Sequence, residues 1–542
     1  MEKRAIIAVA ISLAILIGYQ LLITQFFPPP PPPKIDEKRE QKQPETPPPP
    51  TAETAAKPSE PAVQATKPAS AAKAQAAREI TVDTDDYIAR FTSQGARLKS
   101  FKLKHYRATV DENSPPLEMV PTVPGIPYPL GLQVPGANFN DESIRYSVEG
   151  GDLHLSGEQQ GRLVFKGQGP NAVVLTKEFT FTARGYAIRL QTGAAGAPPP
   201  SIELTADGQT GGPNVDTPFE GLLAEVNDKL VREHGDALKG KEWTGKVGWA
   251  GLGHTYFLMA ALPEGNGEQK IAVHSTGPTI SMSIAPPAQV ANASYTLFIG
   301  PKELDILKSL GRGLERSIDF GYFAFISIPL LYVLHFFDRV TASYGLDIIL
   351  LTVLIKVLLA PLTHKSMTSM KKMQKLQPQM ERLKEKYKDD KEGLNKEIME
   401  LYRRNGVNPF GGCLPMLLQF PVFIGLYNAL RTPIELRHAH FLWIKDLSRP
   451  DWQSLPFSVP VWWPSALPAG IPVLTLLMGA SMFLQQWMTP SAGDPNQKRM
   501  MMMMPLVFTF MFINFPSGLT IYWLVNNLLS IGQQYLINRS QH

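Results

Sequence analysis

The stretch IILLTVLIKVLLAPL, residues 348–362, is apolar enough for a membrane helix yet carries Lys356 among leucines, isoleucines and valines. At 1.5 Å per residue, Lys356 lies roughly 13 Å along a helix axis from both Asp347 and Lys365, which puts its ammonium near a bilayer midplane. Insertion scales price that placement at about 2.5–3.5 kcal/mol, so something must compensate. The five core crossings read below, at about 346–362, 411–431, 471–489, 500–515 and 517–537, contain no Asp, Glu or His apart from Asp347 at a boundary. They contain neutral hydrogen-bonding groups instead: Thr352 one turn before the lysine, Gln419, Gln485, Gln486, Asn514, Tyr522, Asn526 and Asn527. Pointing inward, these would line a hydrated cavity that solvates the ammonium without neutralising it. The alternative is that they act as interhelical glue. A cation in a wet cavity without its own carboxylate is suited to a carboxylate that arrives from elsewhere, on a solute or on another polypeptide.

The 542 residues, 44% hydrophobic with a formal net charge of +5, allow several domains and do not suggest nucleic-acid recognition. The single cysteine, Cys413, excludes an internal disulfide framework and any multi-cysteine metal site. Residues 1–27 read as an uncleaved transmembrane anchor, because Lys3 and Arg4 precede an apolar run from Ala5 to Ile23 that reaches roughly 28 Å. Residues 28–77 are a Pro-rich linker with too little apolar surface to fold. From 78 to 312, short alternating segments such as VVLTKEFTFTARGYAIRLQ, broken by Gly, Pro and Asn turns, predict a β-sandwich domain. GDALKGKE at 235–242 has the Gly and Lys spacing of a phosphate loop, but Glu242 stands where a hydroxyl should bind magnesium, so a plain turn is expected.

Charge counting orients the rest. The loop 364–408 carries 12 Lys and Arg against seven Asp and Glu, whereas 432–470 has three Lys and Arg, which places the first loop in the cytoplasm. The segment 320–337, within a region 313–345, therefore lies along the outer interface, since a crossing there would invert the basic loop. Helices at about 346–362, 411–431, 471–489, 500–515 and 517–537 form a core spanning 346–538, followed by a short tail, 539–542. With the anchor they make six crossings and two cytoplasmic termini. Trp443, Trp452, Trp462 and Trp463 in the outer loop suit a membrane interface. Apolar residues every three or four positions, among them Met370, Met373 and Met380, predict two antiparallel helices over 364–408, bent at Pro378. The methionines either seal this hairpin or offer an adaptable surface to hydrophobic clients.

The segments APLTHKSMTSMKKMQKLQPQM, NPFGGCLPMLLQFPVFIGLYNAL and FPSGLTIYWLVNN resemble the YidC family of membrane protein insertases, relatives of the mitochondrial Oxa proteins. WAGLGHTYF at 249–257 and YTLFIGPKEL at 295–304 are similar to the outer domain of the form found in bacteria with a double membrane. The resemblance implies an α+β membrane protein with a periplasmic β-supersandwich, a five-helix insertase core and a positively charged hydrophilic groove. It implies an inner-membrane protein that inserts and helps fold other membrane proteins without ATP, alone or with the Sec translocon. It is not an enzyme in that case, and no catalytic residue, cofactor or metal is expected. Family members carry arginine where Lys356 stands. Thr352 and the pair Tyr522 and Trp523 fall where relatives contact the incoming segment, with Gln419, Gln485, Gln486 and Asn526 as further groove candidates. Partners implied are nascent inner-membrane clients, the bilayer, the Sec translocon and the ribosome, although the short tail does not support docking through a long basic extension. The competing readings are a small-anion transporter using Lys356 as counter-charge, and a scaffold whose β-domain binds envelope proteins.

Overall fold

The computed structural model describes residues 77–539 apart from 121–124, 136–138, 208–218, 235–237, 239, 266, 277–278, 291, 389, 408–413, 458–468 and 489–494. The expected anchor and nearly all of the Pro-rich linker lie outside the described residues, as do Cys413, Trp462 and Trp463. So does part of GDALKGKE, whose Glu242 opens a short strand, Glu242–Gly245.

Alternation builds the β-domain. In Val174–Thr182, Leu175, Phe179 and Phe181 are buried while Thr176, Glu178 and Thr180 are half-exposed, the period of two that a strand with one core face requires. This strand pairs antiparallel with Gln160–Gln168 and Ala187–Ala195, Glu178 standing opposite Val164 and Gln191. They belong to a nine-stranded sheet that also contains Val247–His254 and Phe257–Glu264. A five-stranded sheet and a six-stranded sheet complete the domain. The first packs on the nine-stranded sheet through Phe91, whose ring centroid lies 4.8 Å from that of Phe179 and 5.8 Å from that of Phe181. The second packs on it where Ser201–Asp207 and Thr279–Ala285 meet Val247–His254. Burying each such phenyl ring contributes about 1.5–3 kcal/mol.

The same alternation sends Lys177 into the core, fully buried. Its ammonium lies 2.7 Å from Asp141 and donates to the carbonyls of Gly95, Ala96 and Leu130. All its donors are therefore used, the condition under which a buried charge is tolerated. Burial pushes this lysine down to about 8, with Asp141 opposing.

Nine helices follow among the described residues. α1 (Leu304–Leu310) stops at Gly311, whose φ of 71° suits a residue without Cβ. α2 (Ala324–Thr341) ends at Ala342 in the left-handed region, and α3 (Tyr344–Lys375) begins two residues later. α3 is longer than the helix expected over 346–362. SMTSMKKMQK contains no breaker, and at the interior Pro361 the Thr363 hydroxyl bonds back to the carbonyls of Leu359 and Ala360. The chain turns at Leu376, and Pro378 sits in the first turn of α4 (Gln377–Lys386), where its missing N–H costs nothing; it starts a helix rather than bending one. α5 (Lys391–Arg404) is capped by Asp390, which accepts from the Gly393 amide. α6 (Leu414–Arg431), α7 (Val473–Met488), α8 (Pro495–Phe512) and α9 (Ser517–Arg539) complete the order.

α7 packs on α8 and α9, α9 on α3, α3 on α2, and α2 on α6. Gly479 permits the α7 to α8 approach: a Cβ there would lie 2.1 Å from the Thr509 hydroxyl oxygen. α2 and α3 are long and apolar enough to cross a membrane, and α7 and Met501–Phe512 are shorter apolar helices. Exposure separates the two halves. Among the described residues before Gly321, the large hydrophobic side chains standing exposed are Val174 and Val290, whereas α2, α3, α7, α8 and α9 present many, including Phe336 at 62%, Leu358 at 68% and Trp487 at 71%. An apolar belt of that extent requires a nonaqueous surrounding or a partner.

Candidate functional site

α9 reads SGLTIYWLVNNLLSIGQQYLINR, and its polar residues fall in two stripes. Tyr522, Asn526, Ser530 and Gln533 follow steps of four, four and three, so they share one face; Asn527 and Gln534, seven apart, share another. The first stripe faces α3. The Lys356 ammonium donates to the Ser530 hydroxyl at 2.5 Å and approaches the Asn526 side-chain oxygen at 3.5 Å. Ser530 donates in turn to the Asn526 carbonyl. Seven residues further along α3, Thr363 accepts from the Gln533 amide at 3.0 Å. Matching intervals of seven on both helices make a polar ladder whose rungs are roughly 10 Å apart.

Tyr522, at the other end of this stripe, is buried, and its hydroxyl lies 3.4 Å from the Gln419 amide of α6. The second stripe faces α7: Asn527 donates to Ser481 and Gln534 to the Met488 carbonyl. α9 thus joins α3, α6 and α7 through hydrogen bonds in which its own side chains are all uncharged. Lys356 is half-buried, and its hydrogen-bond partners among the described residues are a hydroxyl and an amide. Asp347 is occupied at the first turn of α3, where it accepts from Thr341.

The remaining candidates divide. Thr352 is buried and donates to the Ile348 carbonyl of its own helix, so its hydroxyl is spent locally. Trp523 belongs to an aromatic cluster, 4.9 Å from both Phe423 and Phe512, which ties α9 to α6 and α8. Gln485 and Gln486 are half-buried on α7. Met370 is half-buried near the end of α3. Met380 is buried with Leu376, Tyr402 and Val407, and Met373 packs on the same cluster, so these two methionines face the seam between α4 and α5. Ser530, Gln533 and Thr363 were missed. The step of four from Asn526 to Ser530 carried the signal for the first, while serine and threonine in apolar helices commonly bond their own backbone and so attract little notice. No group of three or more His, Cys, Asp or Glu side chains able to hold a metal occurs among the described residues.

The β-domain and the helices meet at Arg437. Its buried guanidinium donates to the carbonyls of Arg107 and Ala108 and lies 5.4 Å from the Phe257 ring centroid. Tyr256 adds a bond from its hydroxyl to the Arg431 carbonyl at the end of α6.

Residues 79–333 match the family model described as YidC periplasmic domain, and residues 336–542 match that described as 60Kd inner membrane protein. The chain is 40% identical over 563 residues to the membrane protein insertase YidC of Syntrophus aciditrophicus (strain SB), covering 99% of this chain and 100% of the relative. It is 40% identical over 559 residues to the protein of the same description from Geobacter metallireducens, covering 100% of this chain and 99% of the relative. With both segments matched and the similarity running along the full length, the chain belongs to the YidC family of membrane protein insertases.

Proposed function

We propose that this protein inserts hydrophobic segments of nascent membrane proteins into the inner membrane, and that Lys356 is the charge met by the short polar or acidic stretch of a client that must cross. The observation that carries the proposal is an ammonium whose hydrogen-bond partners among the described residues are Ser530 and Asn526, neither of them a carboxylate. A resident Asp or Glu would compete with an arriving acid, whereas a hydroxyl and an amide solvate the ammonium and leave its charge available. Lysine in place of arginine supplies a compact point charge without the planar fork, so attraction rather than bidentate capture is the mode.

The topology that fits is six crossings with both termini cytoplasmic, residues about 28–345 outside, α2 along the outer interface and 364–408 as a cytoplasmic hairpin. Phe325, Tyr332, Phe336 and Val340, all exposed on α2, form the apolar face such a helix would lay into lipid. The hairpin receives the client, Met370 and the methionines of the α4 to α5 seam supplying adaptable apolar surface once that seam opens. The client helix then leaves along α3, α6 and α9 into lipid, and burial of its apolar surface at about 25 cal/mol per Å² drives the step without nucleotide. Gln419, Tyr522 and Asn526 border its path, and the Sec translocon and the ribosome are the partners that would deliver clients.

The decisive experiment is reconstitution of the full chain in nucleotide-free vesicles with a small client bearing an acidic translocated tail. Insertion is expected with the wild type and strongly reduced with Lys356→Ala. Undiminished insertion by that variant would remove the charge from the mechanism, and saturable flux of a small anion through the same vesicles would favour transport instead.

A further inference from the structure

Two glutamates and one histidine meet where the β-domain, α2 and the segment after α6 come together. Ser327, Leu331 and Leu334 are buried on α2, and His335, four residues after Leu331, stands on this packed face. Its Nε2 lies 3.1 Å from a Glu435 oxygen, the two side chains being 20% and 14% exposed. Among the described residues His335 is the ion-pair partner of Glu435, whose other oxygen is buried without a hydrogen-bond partner. Glu303, just before α1, supplies the second carboxylate. Tyr106 donates to it at 3.4 Å, and burial followed by the nearby Glu435 raises its carboxyl above the ordinary value. Asp305 adds a third negative group near the imidazole. Other charged groups on α2 and the elements that meet it have partners of their own or face outward. Lys308 of α1 donates to Tyr332 at 2.7 Å, Arg431 of α6 lies over the Tyr427 ring, and Asp347 of α3 accepts from Thr341. Arg437 donates to the carbonyls of Arg107 and Ala108, Asp338 is hydrogen-bonded to the Tyr344 side chain, and Arg339 is exposed.

We propose that His335, Glu435 and Glu303 form a proton-operated latch, which holds α2 against the segment 434–436 while the imidazole is protonated and releases it when the imidazole is neutral. The imidazolium gives Glu435 its counter-charge inside a cluster that is otherwise acidic. Once that charge is lost, a half-buried carboxylate stays without a cation beside a second carboxylate, a state that separation and hydration relieve. Glu435 holds the His335 imidazole above its ordinary 6.5 against the opposing effect of burial, with Asp305 and Glu303 adding to it. The contribution of the latch is therefore complete below 6.5 and lost as pH rises through the raised folded value. Only Ala342 and Ser343 separate α2 from α3, so release reaches the outer end of the helix that carries Lys356. That the latch reads the acidity of the outer compartment rests on the topology proposed above; the proton dependence of the joint does not.

The test uses the full chain in nanodiscs and amide hydrogen exchange of peptides covering 324–341, expressed as protection factors so that the intrinsic pH dependence of exchange is divided out. Wild-type protection should fall about tenfold between about pH 5.5 and about pH 8.5, the scale of one unit of pKa shift. Two variants should move in opposite directions. His335→Gln leaves the Glu435 carboxylate without a cation and should show the weak protection of the high-pH wild type at both pH values. Glu435→Gln needs no cation and should show the strong protection of the low-pH wild type at both. Cooperative thermal melting shows that each variant folds, and if His335→Gln does not, Glu435→Gln decides alone. Wild-type protection that is equal at the two pH values overturns the latch, as does a wild-type pH dependence retained by a folded variant. Insertion of clients plays no part in the readout, so failure of the latch and failure of the insertase reading are told apart.

Discussion

The Lys356 ammonium donates to the Ser530 hydroxyl at 2.5 Å, joining α3 to α9, and no carboxylate among the described residues is paired with it. A hydrogen bond involving a charged group contributes about 1.5–3 kcal/mol, and Ser530→Ala should lower thermal stability by about that amount while leaving the charge in place. Lys356→Ala removes the charge. Client insertion in vesicles should fall about tenfold for Lys356→Ala, since roughly 1.4 kcal/mol of lost attraction is a factor of ten, and should be largely kept by Lys356→Arg. A Lys356→Arg protein as defective as Lys356→Ala would show that geometry, not charge, matters.

His254 gives the β-domain a pH response. Burial and the nearby Lys302 ammonium push its imidazole down to about 4 from an ordinary 6.5, and it sits edge-on to Phe219. The unfolded chain takes up this proton first as pH falls, so the associated stability is complete above 6.5 and lost on descending towards 4. The loss should be on the order of 3 kcal/mol. Melting temperatures measured across that window should drop less for His254→Gln than for the wild type; parallel curves would exclude His254 as the source.

Lys177→Met should be severely destabilising, because Asp141 would stay buried with one fewer cation and three carbonyls would lose their donor. Removing one partner of a buried pair costs about 3–5 kcal/mol. Denaturant titration of the β-domain signal gives the value, and a shift below about 1 kcal/mol would mean that the site relaxes or admits water.

Gly479→Val tests the α7 to α8 packing. A Cβ at this position meets the Thr509 hydroxyl oxygen at 2.1 Å, so the helices must separate. Overpacking of this kind costs about 1–3 kcal/mol, readable as a lower melting temperature in detergent, and Thr509→Ala in the same chain should recover part of the loss.

Arg437→Ala should loosen the joint between the β-domain and the helices, since its guanidinium bridges to the carbonyls of Arg107 and Ala108. Limited proteolysis of the linking segment 311–323 should accelerate several-fold while each half keeps its own melting transition; an unchanged cleavage rate would assign the joint to other contacts.

Much was legible in the residue order because it depends on local period and composition. The alternation in VVLTKEFTFT requires a strand with one buried face, and that rule alone sends Lys177 inward. The apolar run around Lys356 requires a helix in a nonaqueous setting, and the absence of acids near it in sequence follows from composition. Side-chain pairing is a different matter, because partners distant in the chain are chosen by packing. Folding decided that Lys356 meets Ser530, that Thr352 turns back on its own helix, that Met380 faces Tyr402, and that Trp523 joins an aromatic cluster. It also decided that α3 runs on past Pro361 to Lys375, although the proline's missing donor leaves the Val357 carbonyl without its usual partner. Period and polarity determine which faces must be covered; only the packed structure determines what covers them.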